Sequence, residues 1–380
     1  MSKKCKIYLV TKYFTPALTG AGNRFFNIHP YLKRKNVELI VLTIKYYDSS
    51  LYEEINGIKI FRIDVDEEKN ATYALQKFAY RFAIKKIPDA MIFLHHSYHS
   101  FIYIAMLRLR NIICIRNITM MPKIHHRNLK HYFYMFMCFN IFSKIYCLNE
   151  AMNTRLIKNG LKSNKAFISP NGIDTNRFSP LKSISLKSTL REKLKLPQDV
   201  KIILFVGNLV RRKGVDLLLN AWEKICNDSK ACLILVGSTD FTGQQTDIIF
   251  KNELEKMIGR INKNKLIIRE FSKNIEQYYQ AADVFVFLSR REGMPNALLE
   301  AMSCGLPSLI TPFEGLSIEL GKENVHYYLT NFSEKKIVTD LIKILNDENS
   351  EQIGENASLL IKNELSIEKC ALKLVENIYH

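Results

Sequence analysis

Short, wholly apolar runs alternate with longer amphipathic stretches along this chain, and that alternation narrows its possible folds more than any other feature. Lys6–Val10, Val37–Thr43, Ile58–Ile63, Ala90–Leu94, Ile112–Ile115 and Lys144–Leu148 are rich in Ile, Val, Leu and aromatic residues, as β-strands are. Between several of them, Asn23–Lys35, Tyr73–Lys86 and His99–Leu109 space their apolar residues at helical intervals. A strand that is apolar on both faces must be covered on both, so the pattern predicts a mostly parallel, doubly wound α/β sheet. A polar, proline-punctuated stretch from Ser179 to Val200 interrupts it. The pattern then restarts, with strands at Ile202–Val206, Ala231–Val236, Leu266–Ile268, Val284–Leu288 and Ser308–Thr311. Helices are expected at Gly214–Cys226, Ile275–Ala281 and Asn296–Ser303. At 380 residues the chain exceeds what one core usually serves, so two α/β domains joined near residue 180 are expected. The last helical pattern, Ser366–Tyr379, fits either domain.

Charge divides the chain more sharply than composition does. Residues 1–180 hold 28 Lys and Arg against 11 Asp and Glu, whereas the remaining residues hold 27 against 26. A basic first half suggests a partner of negative charge, either nucleic acid or an anionic membrane surface. Basic and aromatic residues interleave in Asn23–Lys35 and again in His125–Lys144, a composition that suits a membrane interface. An ordinary helix with a buried apolar face and a solvated basic one reads equally well. The basic lead Met1–Lys6 is followed by too short an apolar run for a signal peptide, and Tyr132–Phe142 is about half a bilayer span. The eight cysteines form no Cys-x-x-Cys pair, so reduced thiols in a cytoplasmic setting are expected.

Four segments carry chemistry. In Asp283–Pro307, DVFVFLSRREGMPNALLEAMSCGLP, a strand runs through a Gly293–Pro295 loop into a helix near Asn296. The amides at such a turn make an anion site at the carboxyl edge of a parallel sheet. Glu292 and Glu300 can face one cleft there, and carboxylates suit paired sugar hydroxyls; two solvated glutamates are the bland alternative. In Leu204–Ala221, LFVGNLVRRKGVDLLLNA, Arg211, Arg212 and Lys213 stand at a strand-to-helix turn, where cations can neutralise a diphosphate leaving group. Ile168–Pro180, ISPNGIDTNRFSP, specifies a tight turn. Thr15–Arg24, TPALTGAGNR, is a glycine-bearing loop that lets backbone approach a ligand.

Together these segments resemble glycosyltransferase family 4, the retaining GT-B group. The family's Glu, seven residues, Glu signature is met by Glu292 and Glu300 within EG-P-ALLEAM-CG-P. The resemblance implies two Rossmann-like domains facing a central cleft: an acceptor domain at 1–178, a nucleotide-sugar domain at 179–365, and a helix at 366–380 crossing back to the first. It implies that Glu300 holds the donor ribose and Glu292 lies beside the transferred sugar. Gly293, Met294, Pro295, Asn296 and Ala297 would contact sugar and diphosphate. Gly207 and Lys213 fill their family positions, while Asn208 replaces an Arg, leaving Arg211 or Arg212 to complete a cation pair. Gly20, Gly22 and Arg24 correspond to a phosphate-closing loop. Arg269 and Phe271 are the candidates beside the base. Asn117 (or Arg116) stands where relatives keep a His near the sugar. His95, His96, His125 and His126 are structural or acceptor-side residues.

The implied activity is transfer of a hexose or N-acetylhexosamine from a UDP-sugar, without required metal, to a lipid-linked or oligosaccharide acceptor. Capsule, O-antigen or other cell-surface polysaccharide synthesis is the implied setting, at the inner face of the cell membrane. A catalytically silent relative that binds nucleotide sugar or a partner enzyme is the main alternative. Nucleic-acid binding has charge in its favour but no recognition motif.

Overall fold

A computed structural model describes residues 4–16, 20–46, 48–65, 70–97, 101–120, 136–137, 139–238 and 248–379, the last without the Tyr379 side chain. The chain forms two compact units, residues 1–172 with 367–380 and residues 173–366. The first contains β1 (Cys5–Val10), α1 (Gly20–Arg34), β2 (Val37–Ile44), β3 (Tyr52–Ile55), β4 (Ile58–Ile63) and α2 (Ala71–Lys85). β5 (Ala90–Phe93), α3 (Phe101–Arg108), β6 (Ile113–Ile118), β7 (Lys144–Cys147), α4 (Glu150–Lys158) and β8 (Ala166–Ile168) follow. Among the described residues its sheet runs β3-β4-β2-β1-β5-β6-β7-β8, parallel except for the β3–β4 hairpin. Asn56 and Gly57, both at positive φ, make that hairpin's turn, which explains an antiparallel strand that the parallel pattern does not predict.

The second unit contains α5 (Ile184–Lys193), β9 (Lys201–Val206), α6 (Val215–Ile225), β10 (Ala231–Val236), α7 (Ile248–Arg260) and β11 (Leu266–Arg269). α8 (Ile275–Ala281), β12 (Val284–Phe287), α9 (Asn296–Ser303), β13 (Ser308–Ile310), β14 (Tyr328–Leu329), α10 (Glu334–Asn346) and α11 (Ser350–Glu364) complete it. The described strands form one parallel sheet, β11-β10-β9-β12-β13-β14. Val215, Leu218, Leu219 and Trp222 lie on one stripe of α6, all at 0% exposure, and pack on β9 and β10 residues such as Phe205 and Leu233. The polar stretch at 179–200 is not a bare linker. It carries α5, whose Arg191 is buried and donates to Asp283 at 2.6 Å.

A final helix, α12 (Ile367–Tyr379), belongs to the first unit, where Ile367, Ala371, Leu374 and Ile378 join the core around β1 and α1. Gly172 marks where the chain leaves that unit. A Cβ there would lie 2.6 Å from the Ile367 Cα, so the turn and α12 close on each other only with glycine.

Candidate functional site

In the second unit β9 has β10 on one side and β12 on the other, so the order in which strands are added switches sides at β9 while all run parallel. The loops leaving the carboxyl ends of β9 and β12 stand at this switch point, the usual ligand position in open α/β sheets. Two glycines let the loops close on one another. Gly214 has φ +73°, and a Cβ on it would lie 2.1 Å from the Leu288 carbonyl oxygen. Gly237 would place a Cβ 1.9 Å from the Gly207 carbonyl oxygen. The backbone therefore forces the Arg211–Lys213 turn against the end of β12.

That contact gathers the charges. Lys213 Nζ lies 2.7 Å from Glu292 Oε1, and Arg212 Nη1 donates to the same oxygen and, at 2.9 Å, to the Arg291 carbonyl. Ser289 Oγ lies 3.1 Å from that carboxylate oxygen as well. Arg290 steadies the arrangement from behind, donating to both carboxylate oxygens of Asp216 at 3.0 and 2.8 Å while its amide donates to the Arg212 carbonyl at 2.9 Å. Arg211 points elsewhere, pairing with Glu253 and lying over the Phe250 ring. Of the two arginines considered for the second cation, the fold thus brings Arg212 to Glu292 and removes Arg211.

The second carboxylate, Glu300, lies one turn into α9. That helix starts after Pro295, which supplies no side-chain cap. Glu300 Oε2 accepts from the hydroxyl of the buried Tyr279 at 2.9 Å. Burial pushes the Glu300 carboxyl above the ordinary carboxylate range, against the opposing effects of the Tyr279 hydrogen bond and the Arg177 charge. Gly293 and Met294 are buried beneath this loop, and Gly315 fits under it because a Cβ would meet the Gly293 carbonyl oxygen at 2.0 Å. Gly207, at φ +144°, and Asn208 follow β9 beside the Lys213 side chain. Arg269 ends the edge strand β11 and Phe271, just beyond it, is 55% exposed. A broad hollow lined by Gln198, Lys230, Ile342 and Leu345 lies at the opposite, amino edge of the sheet and contains none of these groups.

In the first unit the picture differs from the sequence expectation in three places. Gly20, Gly22 and Arg24 sit in the first turns of α1, not in a loop, and Arg24 is 5% exposed. Its guanidinium donates to Asn117 Oδ1 at 3.3 Å and to Ser169 Oγ at 2.6 Å, both within the unit. Asn117 lies within β6 and is 1% exposed. The apolar face of α1, with Phe25, Ile28 and Leu32, fills the core, which leaves that helix no apolar face for a membrane. His95 and His96 are pushed down to about 4 and about 3, chiefly by burial and then by Arg116, and are neutral at neutral pH. Residues 17–19 of the glycine loop, the start of the His99–Leu109 pattern, His125, His126 and most of His125–Lys144 lie outside the described residues.

Tyr279, Ser289, Arg290 and Asp216 are the site groups that sequence reading missed. Ser289 and Arg290 flank the signature and were within reach of it, whereas nothing in the sequence marks Tyr279 as Glu300's partner. Among the described residues, no group of three or more His, Cys, Asp or Glu is placed to share a metal ion, and no helix is long and apolar enough to cross a membrane.

Two family models match the chain: "Glycosyl transferases group 1" over residues 187–359 and "Glycosyltransferase Family 4" over residues 18–177. The capsular polysaccharide biosynthesis glycosyltransferase CapM of Staphylococcus aureus is 28% identical over 58% of this chain and 57% of its own length. The UDP-Gal:alpha-D-GlcNAc-diphosphoundecaprenol alpha-1,3-galactosyltransferase of Escherichia coli is 25% identical over 54% of this chain and 51% of its own. The chain thus spans little more than half the length of these relatives. In fold, it matches the crystal structure of Anabaena HepE in complex with UDP and glucose at a TM-score of 0.76. That likeness covers 99% of this chain and 100% of HepE at 18% identity.

Proposed function

The chain belongs to the group 1 glycosyltransferases of GT-B fold, and from that premise we propose that it is a retaining hexosyltransferase using a UDP-sugar. The sugar, a hexose or N-acetylhexosamine, goes to a lipid-linked or glycan acceptor in capsule, O-antigen or related cell-surface polysaccharide synthesis. The observation that carries the proposal is the pairing of Lys213 and Arg212 on a single oxygen of Glu292 at the sheet's switch point. Support for the donor comes from the UDP bound to HepE, and for the acceptor from the diphosphoundecaprenol substrate in the galactosyltransferase's name. The enzyme acts peripherally at the inner face of the membrane.

In this reading Glu300 accepts hydrogen bonds from the ribose hydroxyls, with Tyr279 fixing the carboxylate's orientation. The amides from Gly293 to Ala297 and the start of α9 face the diphosphate, with Gly207 and Asn208 across from them. Arg269 and Phe271 lie toward the base. As the bond from the anomeric carbon to the phosphate oxygen breaks, negative charge grows on the diphosphate. Lys213 and Arg212 neutralise it in place of a metal. Glu292 and the diphosphate compete for the same two cations, so donor binding frees Glu292 to accept from the sugar hydroxyls. The acceptor oxygen bonds to the anomeric carbon on the face the phosphate leaves, and its proton passes to the departing phosphate oxygen. Asn117 acts through Arg24, which it seats.

A donor screen tests this: UDP-, GDP- and ADP-sugars, each with extracted lipid-linked oligosaccharide, read by nucleotide release. UDP release that depends on acceptor is expected. Nucleotide binding without turnover for every donor and acceptor would instead identify a silent relative.

A further inference from the structure

Among the described residues, the first unit carries an exposed apolar stripe beside a row of cations. On α3 and the residue following it, Ile102, Met106 and Leu109 are 60%, 37% and 85% exposed. Their spacing of four and three residues places them in one stripe along the helix. The neighbouring α2 turns a row of Tyr73, Lys77, Arg81 and Lys85 to solvent at four-residue intervals. Between the two helices lies a seam of tyrosines. The Tyr103 ring is 5.8 Å from that of Tyr73, with their hydroxyls 3.1 Å apart, and stacks on Tyr80 at 5.4 Å. Arg81 is close enough to act electrostatically on the Tyr103 hydroxyl.

The charges on the two helices are of one sign: Lys77, Arg81 and Lys85 are exposed, neither α2 nor α3 holds an acidic residue, and the one acid in the sequence between them is Asp89. Asp89 is turned to the start of β1, where it accepts from the Lys6 amide at 2.8 Å. An apolar stripe, a row of cations and tyrosines between them match the layers of an anionic lipid interface: acyl boundary, headgroup phosphate, and the zone where amphipathic rings settle. A second copy of this chain fits poorly, because a two-fold pairing of the face would set like charges opposite one another. Nucleic acid would use the cations but leave the stripe exposed.

We propose that the α2–α3 face is the membrane-docking surface, with Ile102, Met106 and Leu109 entering the interface and Lys77, Arg81 and Lys85 meeting anionic headgroups. This rests on the reading of the protein as peripheral at a membrane and names the surface that reading requires. It replaces α1, whose apolar face is in the core.

The full chain is sedimented with phosphatidylcholine vesicles with and without phosphatidylglycerol, beside two triple variants. Binding that requires phosphatidylglycerol is expected for the unaltered protein. Ile102→Ser/Met106→Ser/Leu109→Ser should weaken it by on the order of tenfold or more. Lys77→Gln/Arg81→Gln/Lys85→Gln should weaken it by roughly fivefold per charge and abolish the lipid preference. Both should keep the thermal midpoint and the nucleotide affinity of the unaltered protein, which shows that they fold. If the unaltered protein binds anionic vesicles and both variants bind equally well, this surface is wrong while the peripheral reading stands. If the unaltered protein ignores anionic vesicles, both fall. Salt-sensitive binding to RNA that survives loss of the apolar stripe, without vesicle binding, overturns the proposal in favour of nucleic acid.

Discussion

One oxygen of Glu292 takes the charge of two side chains, and what each contributes can be separated by substitution. Lys213→Ala removes a cation whose stabilisation grows as the diphosphate departs, so kcat should fall roughly 10²-fold while the KM for the donor changes little. Steady-state kinetics giving an unchanged kcat would remove Lys213 from the chemistry. Glu300 makes a prediction about pH. Its carboxyl titrates above the usual carboxylate range because it is buried, and only the ionised form offers acceptors to both ribose hydroxyls. Calorimetric donor affinity should therefore weaken on acidification, beginning closer to neutrality than an ordinary carboxylate would allow, and Glu300→Gln should flatten the profile. The same shift fixes the sign for stability. A folded pKa raised above the unfolded value favours folding at low pH, and that contribution is lost as pH rises through the folded pKa. Glu300→Gln should consequently melt no lower than the native protein at neutral pH, since the Tyr279 hydroxyl can donate to the amide oxygen. A flat pH profile in the unsubstituted enzyme would discard the ribose assignment.

At the scale of elements, the site depends on how tightly the Arg211–Lys213 turn sits on β12. Gly214→Ala forces a side chain into a left-handed conformation and into the Leu288 carbonyl, and should destabilise the second unit by on the order of 3 kcal/mol. Denaturant unfolding monitored in that unit checks this; an unchanged midpoint would mean that the turn can move aside without cost. Apolar periodicity located elements of this kind well. α8 and α9 occupy the expected residues, and each expected strand is present with ends shifted by at most a few residues. Missed were the helices α4, α5, α7, α10 and α11, together with β3, β8 and β14. The reasons are physical. α5 has one buried residue, so its apolar signal is faint, and β14 has only two residues in which to show a pattern.

For the whole molecule, α12 shows how far apart in sequence a core can be assembled. Ile367, Ala371, Leu374 and Ile378 are each at most 5% exposed, against strands that begin at Cys5. The three larger side chains, at about 1.5–3 kcal/mol of burial each, together contribute about 4.5–9 kcal/mol, comparable with the 5–15 kcal/mol net stability typical of a domain. Deleting residues 367–380 should therefore unfold the first unit and spare the second. Hydrogen exchange would show it as lost protection in β1, β2 and α1 with β9, β10 and β12 still protected. Equal protection in both units would contradict the shared core.

What the sequence alone determined is local in origin. Apolar periods of two kinds, repeated twice, specify two doubly wound α/β units, and the Glu292–Glu300 frame announces a strand, a glycine loop and a helix start with two carboxylates beside it. These follow from backbone propensity and turn chemistry within a few residues. Only the tertiary structure decided which charges meet. Arg212 and Glu292 are 80 residues apart, Tyr279 lies beneath Glu300 from another helix, and Arg24 turns inward to Asn117 and Ser169. It also decided which basic face stays in solvent, burying the apolar side of α1 and leaving the stripe on α3 uncovered. The reason is the same in each case: a side chain's partner depends on which element packs beside it, and that packing brings together residues too distant in sequence to share any local pattern.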